Sequence, residues 1–307
     1  MSAMPLASFS VCTYNQKEFI RDAVRGALAQ TYSPLEILIY DDCSTDGTFE
    51  IVQEEVARYN GPNKIIARRN DKNLGSRLNH LATMHESTGE FILLADGDDV
   101  SHPDRTKRTV EAFLNKGVSV VTCNGIFVDA TGRNALKFWR DPNGPFDATI
   151  EELALQGSNA WTFGPGLGLS REMVSLFGLP PPGFESGDLI LPFWGSLLNG
   201  CEFVAEPLVK YRVHDGNNCV GRRVERSTGK EKAVQEERQW YLHAAIALWE
   251  IDQLQAFVTA HPERAALRDR ILPLLYTQVI TLSQKWVGVW QALDQYGSKF
   301  VSRDGTK

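Results

Sequence analysis

The densest chemistry in the chain is Asp96-Gly97-Asp98-Asp99, placed directly after the apolar run Phe91-Ile92-Leu93-Leu94-Ala95. Three carboxylates crowded at one strand end repel one another, so the spacing predicts a positive charge among them. Hard oxygen ligands suit Mg2+ or Mn2+, metals that commonly bridge to phosphate oxygens of a substrate. Gly97 lets the backbone turn sharply and come close to a ligand. The same four residues also read as an acidic turn capping the helix that follows. Asp41-Asp42 repeats the arrangement after a second apolar run, Leu35 to Tyr40. Two such ends can converge on one ligand, one holding a metal and the other offering a carboxylate to a base or ribose. The plainer alternative is a polar turn in which Asp42 or Ser44 caps a helix.

Placing these groups at one edge requires a particular order of elements. Strand patterns at Phe9–Tyr14, Leu35–Tyr40, Lys64–Ala67, Phe91–Ala95 and Val118–Cys123 alternate with helical patterns. In the first helix, about Lys17 to Gln30, the residues Phe19, Ile20, Ala23, Val24, Ala27 and Leu28 share one face at helical spacing. The uninterrupted apolar run at Phe91–Ala95 fits a strand buried on both faces. Such βαβα order predicts a mostly parallel sheet covered by helices, with ligands at the carboxyl ends of strands. From Asp141 to about Gly187 the chain is rich in Gly and Pro and reads as pocket-shaping loops. Ile190–Leu198 reads as helix, Phe203–Val213 as extended, and Ala233–Tyr296 as helix broken at His261-Pro262.

Bulk properties narrow the class. A chain of 307 residues with 43% hydrophobic residues can bury a sizeable core. Its formal charge of -6 gives no electrostatic footprint for nucleic acid. Cys12, Cys43, Cys123, Cys201 and Cys219 are odd in number and far apart, which points to reduced thiols in the cytoplasm and not to a zinc site. Met1–Ser8 carries no signal-peptide pattern. No apolar run approaches the ~20 residues that span a bilayer.

Several segments then occur in a telling order. They are Ser10-Val11-Cys12-Thr13-Tyr14-Asn15, then Asp41-Asp42-Cys43-Ser44-Thr45-Asp46-Gly47-Thr48, then Asn73-Leu74-Gly75 with Asn79, then Gly89-Glu90-Phe91-Ile92 leading to Asp96-Gly97-Asp98-Asp99. Together they resemble the family 2 glycosyltransferases, over about Ser8 to Asn218. The resemblance implies a GT-A fold: an α/β nucleotide-binding domain with a mostly parallel central sheet flanked by helices, here with a helical C-terminal extension. It implies that Thr13, Tyr14 and Asn15 line the base pocket and that Asp42 accepts from a ring N–H. Asp96, Asp98 and Asp99 match the family's DxD element, with Asp98 expected on the metal, Asp96 facing the ribose and Asp99 the alternative ligand. The Asn73–Asn79 segment, which brings Asn79 to the donor, is shorter than usual in the family.

Two later segments extend the match. Glu185-Ser186-Gly187-Asp188 resembles the site of the family's general base, which makes Asp188 the expected proton acceptor of an inverting transfer. As a lone residue Asp188 reads equally well as a helix N-cap. Tyr211-Arg212-Val213-His214 resembles the late Tyr-Arg-x-His segment, which puts Arg212 near the diphosphate and His214 on the metal. Imidazole is an acceptable Mn2+ ligand and a poorer one for Mg2+. Arg222, Arg223 and Arg226 read as a solvated flexible loop, with closure over the diphosphate the sharper alternative. Trp161 beside Gly164–Gly168 could stack on an acceptor sugar or simply pack in a core.

The expected organisation is a catalytic domain at 1–220, a charged flexible loop at 221–232 and helices at 233–307. The expected activity is transfer of a sugar from a nucleoside-diphosphate sugar to a glycan or lipid-linked acceptor, with Mn2+ or Mg2+, in surface polysaccharide assembly. Nucleic acid is excluded as a partner. The apolar stripes of the C-terminal helices suit packing on their own domain, a homodimer, or contact with the inner membrane surface. Two rivals stand beside this reading. A nucleotidyltransferase that makes sugar nucleotides would want a glycine-rich phosphate loop after the first strand, and Thr13-Tyr14-Asn15-Gln16-Lys17-Glu18 has no glycine. A non-catalytic nucleotide-sugar-binding protein would not need Asp42, Asp96, Asp98, Asp188 and His214 together.

Overall fold

A computed structural model describes residues 3–143, 149–156, 163–177, 190–217 and 229–301. Packing divides the chain into two units. The first is built on one mixed sheet in the order β3-β2-β1-β4-β8-β6-β9-β5, with β7 paired to β6. Its strands are β1 (Ala7–Thr13), β2 (Leu35–Asp41), β3 (Lys64–Arg69), β4 (Phe91–Asp96), β5 (Val100–Ser101), β6 (Val120–Val128), β7 (Ala135–Phe138), β8 (Leu167–Ser170) and β9 (Cys201–Arg212). The helices α1 (Ile20–Leu28), α2 (Thr48–Ala57), α3 (Ser76–Glu86), α4 (Arg105–Lys116), α6 (Arg171–Phe177) and α7 (Leu191–Leu198) belong to the same unit.

Strands β1 and β2 are buried along their whole length; β2 is mostly apolar, while in β1 the buried Ser8 and Ser10 hydrogen-bond to Glu36 and Thr83. Phe9, Val11, Ile37, Ile39 and Leu93 form the core with Ile20, Ala23, Val24 and Ala27 from the predicted face of α1. The four strands β3-β2-β1-β4 run parallel. Beyond them the expected mostly parallel sheet includes an antiparallel strand, β8, between β4 and β6. That strand lies in the stretch whose glycines and prolines read as loop.

The register sets the site. Thr13 pairs with Asp41 across β1 and β2, and Cys12 pairs with Asp96 across β1 and β4. Asp42 N–H donates to Thr13 O at 2.9 Å, and Gly97 N–H donates to Cys12 O at 2.9 Å. Both acidic turns therefore leave the sheet at one edge, on either side of the loop after β1. With strands ~4.8 Å apart, the two turns sit about 10 Å from each other.

The second unit is helical: α5 (Ile150–Gln156), α8 (Gly229–Ala260) and α9 (Ala265–Val301). The break at His261-Pro262 is observed, with Pro262 opening one short turn. Helix α8 begins at Gly229, inside the segment read as a charged loop; 221–228 lie outside the described residues. Leu153, Ala154, Ile246, Ala247, Leu254, Ile271 and Leu275 are buried in this unit, and Arg270 pairs with Glu151. Among the described residues no helix is long and apolar enough to cross a membrane.

Candidate active site

Three loops, after β1, β2 and β4, are tied to one another by their own side chains. Asn15 sits at a left-handed φ of 49°, tolerated by asparagine more than by most residues. Its N–H donates to Ser44 Oγ at 2.8 Å, and its Oδ1 accepts Thr45 N–H at 2.9 Å. Gln16 N–H donates to Thr48 Oγ1 at 2.8 Å, and Thr13 Oγ1 donates to Gln16 Oε1 at 2.8 Å. Gly97 lies against this buckle so closely that a Cβ would meet Thr13 Oγ1 and Gln16 Oε1 at 2.5 Å. Only glycine permits that approach. Tyr14 is left 46% exposed at the lip, while Thr13 is buried.

Asp41 and Asp42 separate in role. Asp41 is fully buried and its Oδ2 accepts Ser44 N–H at 2.8 Å, closing the turn. Asp42, 2% exposed, accepts from Leu74 N–H and Asn70 Nδ2 on Oδ1 and from Gly75 N–H on Oδ2. Neither Asp42 nor Ser44 caps α2; Asp46 takes the amide and hydroxyl of Thr48 instead. Asn79, expected at the donor, is 1% exposed and spans Asn70 Nδ2 and Tyr40 O.

The acidic turn after β4 receives the end of β9. Asp98 Oδ2 lies 3.0 Å from His214 Nε2, and both side chains are only 12% exposed. The His214 ring packs on Phe19 with centroids 4.4 Å apart. Asp99 Oδ1 accepts the Arg212 N–H at 2.9 Å, whereas its buried Oδ2 has no hydrogen-bond partner among the described residues. The Arg212 guanidinium, buried and lying over Phe19, donates to Asp98 O at 3.0 Å, Ala130 O at 3.3 Å and Asp22 Oδ2 at 3.1 Å. Its hydrogen bonds thus join β9 to the acidic turn. Asp96 Oδ1 is 3.0 Å from His80 Nε2 on α3. Burial works against a charged His80, but Cys12 and the Asp96 carboxylate outweigh it and raise its pKa well above the ordinary histidine value.

Burial, followed by repulsion from Asp98 and Asp96, pushes the Asp99 carboxyl well above the usual aspartate range. This is the sign of a cluster short of positive charge. Among the described residues no group of three or more His, Cys, Asp or Glu side chains is arranged to hold a metal ion. A cage is not what Mg2+ or Mn2+ at a phosphate site requires: one or two carboxylates suffice, with water and substrate oxygens completing the shell. The Asp98–His214 contact offers one carboxylate and one imidazole to a divalent cation, with the remaining positions left to water and substrate oxygens.

Sequence reasoning missed Asn70, His80 and Arg105. Arg105 is fully buried, donating to Ser101 Oγ at 2.9 Å, Leu94 O at 2.5 Å and Leu167 O at 3.3 Å. Its charge opposes those of Asp99 and Asp96. Removing the charge while leaving the buried carboxylate should cost about 3 kcal/mol. Arg105→Met is therefore expected to lower the unfolding free energy obtained from urea titration by that amount, and a loss under about 1 kcal/mol would show Arg105 to be mere filling. Asp188 and Trp161 lie outside the described residues, as do Arg222, Arg223 and Arg226.

A family model described as Glycosyl transferase family 2 matches residues 8–175. The putative glycosyltransferase EpsE of Bacillus subtilis is 35% identical over 116 residues, 38% of this chain. The chain spans 41% of that relative's length. Among solved structures, S. aureus TarS 1-349 in complex with UDP-GlcNAc superposes with a TM-score of 0.58 at 16% identity, covering 92% of this chain and 79% of TarS. The mannosyltransferase PcManGT from Pyrobaculum calidifontis, in complex with GDP-Man and Mn2+, gives 0.56 at 18% identity, covering 95% and 88%. These likenesses show a shared GT-A fold.

Proposed function

The chain belongs to glycosyl transferase family 2, and we propose that it is a glycosyltransferase performing a metal-dependent, inverting transfer from a nucleoside-diphosphate sugar to a hydroxyl of a glycan or glycolipid acceptor. The observation that carries this reading is the meeting of Asp98 with His214 beside Asp96 and Asp99, at the sheet edge that also holds Asp42. The nucleotide sugars named with TarS and PcManGT are consistent with it.

In this reading Asp42 meets the base, Tyr14 and the buckled Thr13–Asn15 turn wall the pocket, and Asp96 faces the ribose. Asp98 and His214 would hold Mn2+ or Mg2+, with Asp99 beside them. Bound there, the cation supplies charge to offset that developing on the departing diphosphate, where such stabilisation counts most. Asp188 takes the acceptor's hydroxyl proton as that oxygen bonds to the anomeric carbon. The bond from that carbon to the diphosphate oxygen breaks, and its electron pair leaves with the diphosphate. Arg212 and Asn79 contribute by holding the acidic turn and Asp42 in place. We assign the reaction to surface polysaccharide assembly in the cytoplasm, at the inner membrane face where the acceptor is lipid-linked.

Thermal unfolding with a panel of nucleoside diphosphates tests this. At a concentration of 100 times its Kd, a ligand specific for the folded state stabilises by about 2.7 kcal/mol. One nucleoside diphosphate with Mn2+ is therefore expected to raise Tm by about 5 °C or more, with much less from either alone. If no nucleoside diphosphate shifts Tm in the presence of Mn2+ or Mg2+, the donor assignment fails. Release of pyrophosphate from a nucleoside triphosphate would instead indicate nucleotidyl transfer.

A further inference from the structure

A carboxylate has about four acceptor directions, and Asp42 has spent most of its own. Oδ1 accepts two hydrogen bonds, from Asn70 Nδ2 at 2.9 Å and Leu74 N–H at 2.8 Å. Oδ2 accepts one, from Gly75 N–H at 2.8 Å, a donor it shares with Asn73 Oδ1 at 2.9 Å. One direction remains, on Oδ2, of a residue only 2% exposed.

The count depends on Asn70. Its amide donates both hydrogens, one to Asp42 Oδ1 and one to Asn79 Oδ1, each at 2.9 Å. Asn79 in turn donates to Tyr40 O at 2.9 Å, which fixes its oxygen toward Asn70. Turning the Asn70 amide over would set its oxygen against two acceptors, so the network admits one orientation. Asn70 and Asn79 are both buried, and a side-chain strut in such surroundings locks a neighbour's geometry.

We propose that Asn70, braced by Asn79, is a positioning residue for base recognition: it holds Asp42 with a single acceptor direction open, suited to a base that offers one ring N–H flanked by carbonyls. Guanine presents two adjacent N–H donors and needs an open position on each oxygen, so it is disfavoured. This inference rests on Asp42 as the base-reading residue.

Calorimetric titration of the full chain with UDP, TDP, CDP, ADP and GDP, each with Mn2+, tests it. The wild type is expected to favour UDP or TDP over GDP at least tenfold. Asn70→Asp replaces a donor by a carboxylate facing two acceptors and should bring that ratio to within about threefold of unity. Asn70→Ala should reduce it less, by about threefold. A purely structural role would weaken all five nucleotides by a common factor and keep the ratio. An unchanged ratio in Asn70→Ala, or in a folded Asn70→Asp, overturns the proposal, as does a wild type that favours GDP. Asp42→Asn separates the two levels: if it leaves the ratio intact, the base assignment itself is wrong. If it erases the ratio while the Asn70 variants keep it, the strut alone is refuted.

Discussion

Asp98→Ala should lower the Mn2+-dependent affinity for a nucleoside diphosphate at least 100-fold, about 2.7 kcal/mol of binding free energy. The reason is local. Asp98 is the carboxylate in contact with His214, and deleting it leaves His214 without its anionic partner and any cation without its bridge to the acidic turn. With Asp42 meeting the base and Asp96 the ribose, as proposed, weak metal-independent binding should remain. Stability should move the opposite way. In metal-free protein Asp98 repels Asp99, so its loss should leave Tm unchanged or higher while the ligand-induced rise in Tm disappears. A metal-stimulated affinity like that of the wild type would remove Asp98 from the ligand set.

The crowding of Asp99 also sets a sign for pH. Its folded pKa lies well above the ordinary aspartate value, so its unfavourable contribution is absent below that ordinary value, grows as pH rises from there to the folded value, and is complete above it. The stabilisation gained from Mn2+ with nucleotide should accordingly increase over that range.

How much of this was legible in the sequence depended on whether a residue's role was local. Asp42, Asp96, Asp98 and Asp99 stand at the ends of apolar strands, and a parallel sheet puts such ends at one edge. His214 and Arg212 were found only through the order of segments, since nothing near Tyr211 signals that β9 returns to the turn after β4. Asn70 reads as a turn residue after β3, and its task exists only once β2, β3 and α3 are assembled. Arg105 was hidden by the opposite bias: a basic residue at the first position of a helix looks like a solvated surface group, yet here it is wholly enclosed. The short antiparallel strands β5 and β8, two and four residues long, are fixed by pairing across the sheet more than by any pattern of their own. For the same reason α5 could not be seen to join the C-terminal helices, because its partners lie over a hundred residues away.

Asp188→Asn is expected to reduce transfer by about 10³-fold while leaving the Kd for nucleoside diphosphate within twofold of the wild type. Asparagine keeps the size of the side chain and removes only the ability to take a proton. The acceptor hydroxyl, with a pKa far above neutrality, then has to attack while still protonated. The sequence places Asp188 three residues before Leu191, where α7 begins. Glu185 is the nearest competing carboxylate in the chain, so Glu185→Gln is the necessary comparison. If Asp188 is the base, Glu185→Gln retains most of the rate and the wild-type rise of kcat with pH, and Asp188→Asn loses both. Should Asp188→Asn turn over normally and Glu185→Gln fail, the base is Glu185, and the resemblance has been carried onto the wrong member of the segment. The pH profile decides between a lost base and a displaced acceptor, since only the former flattens it.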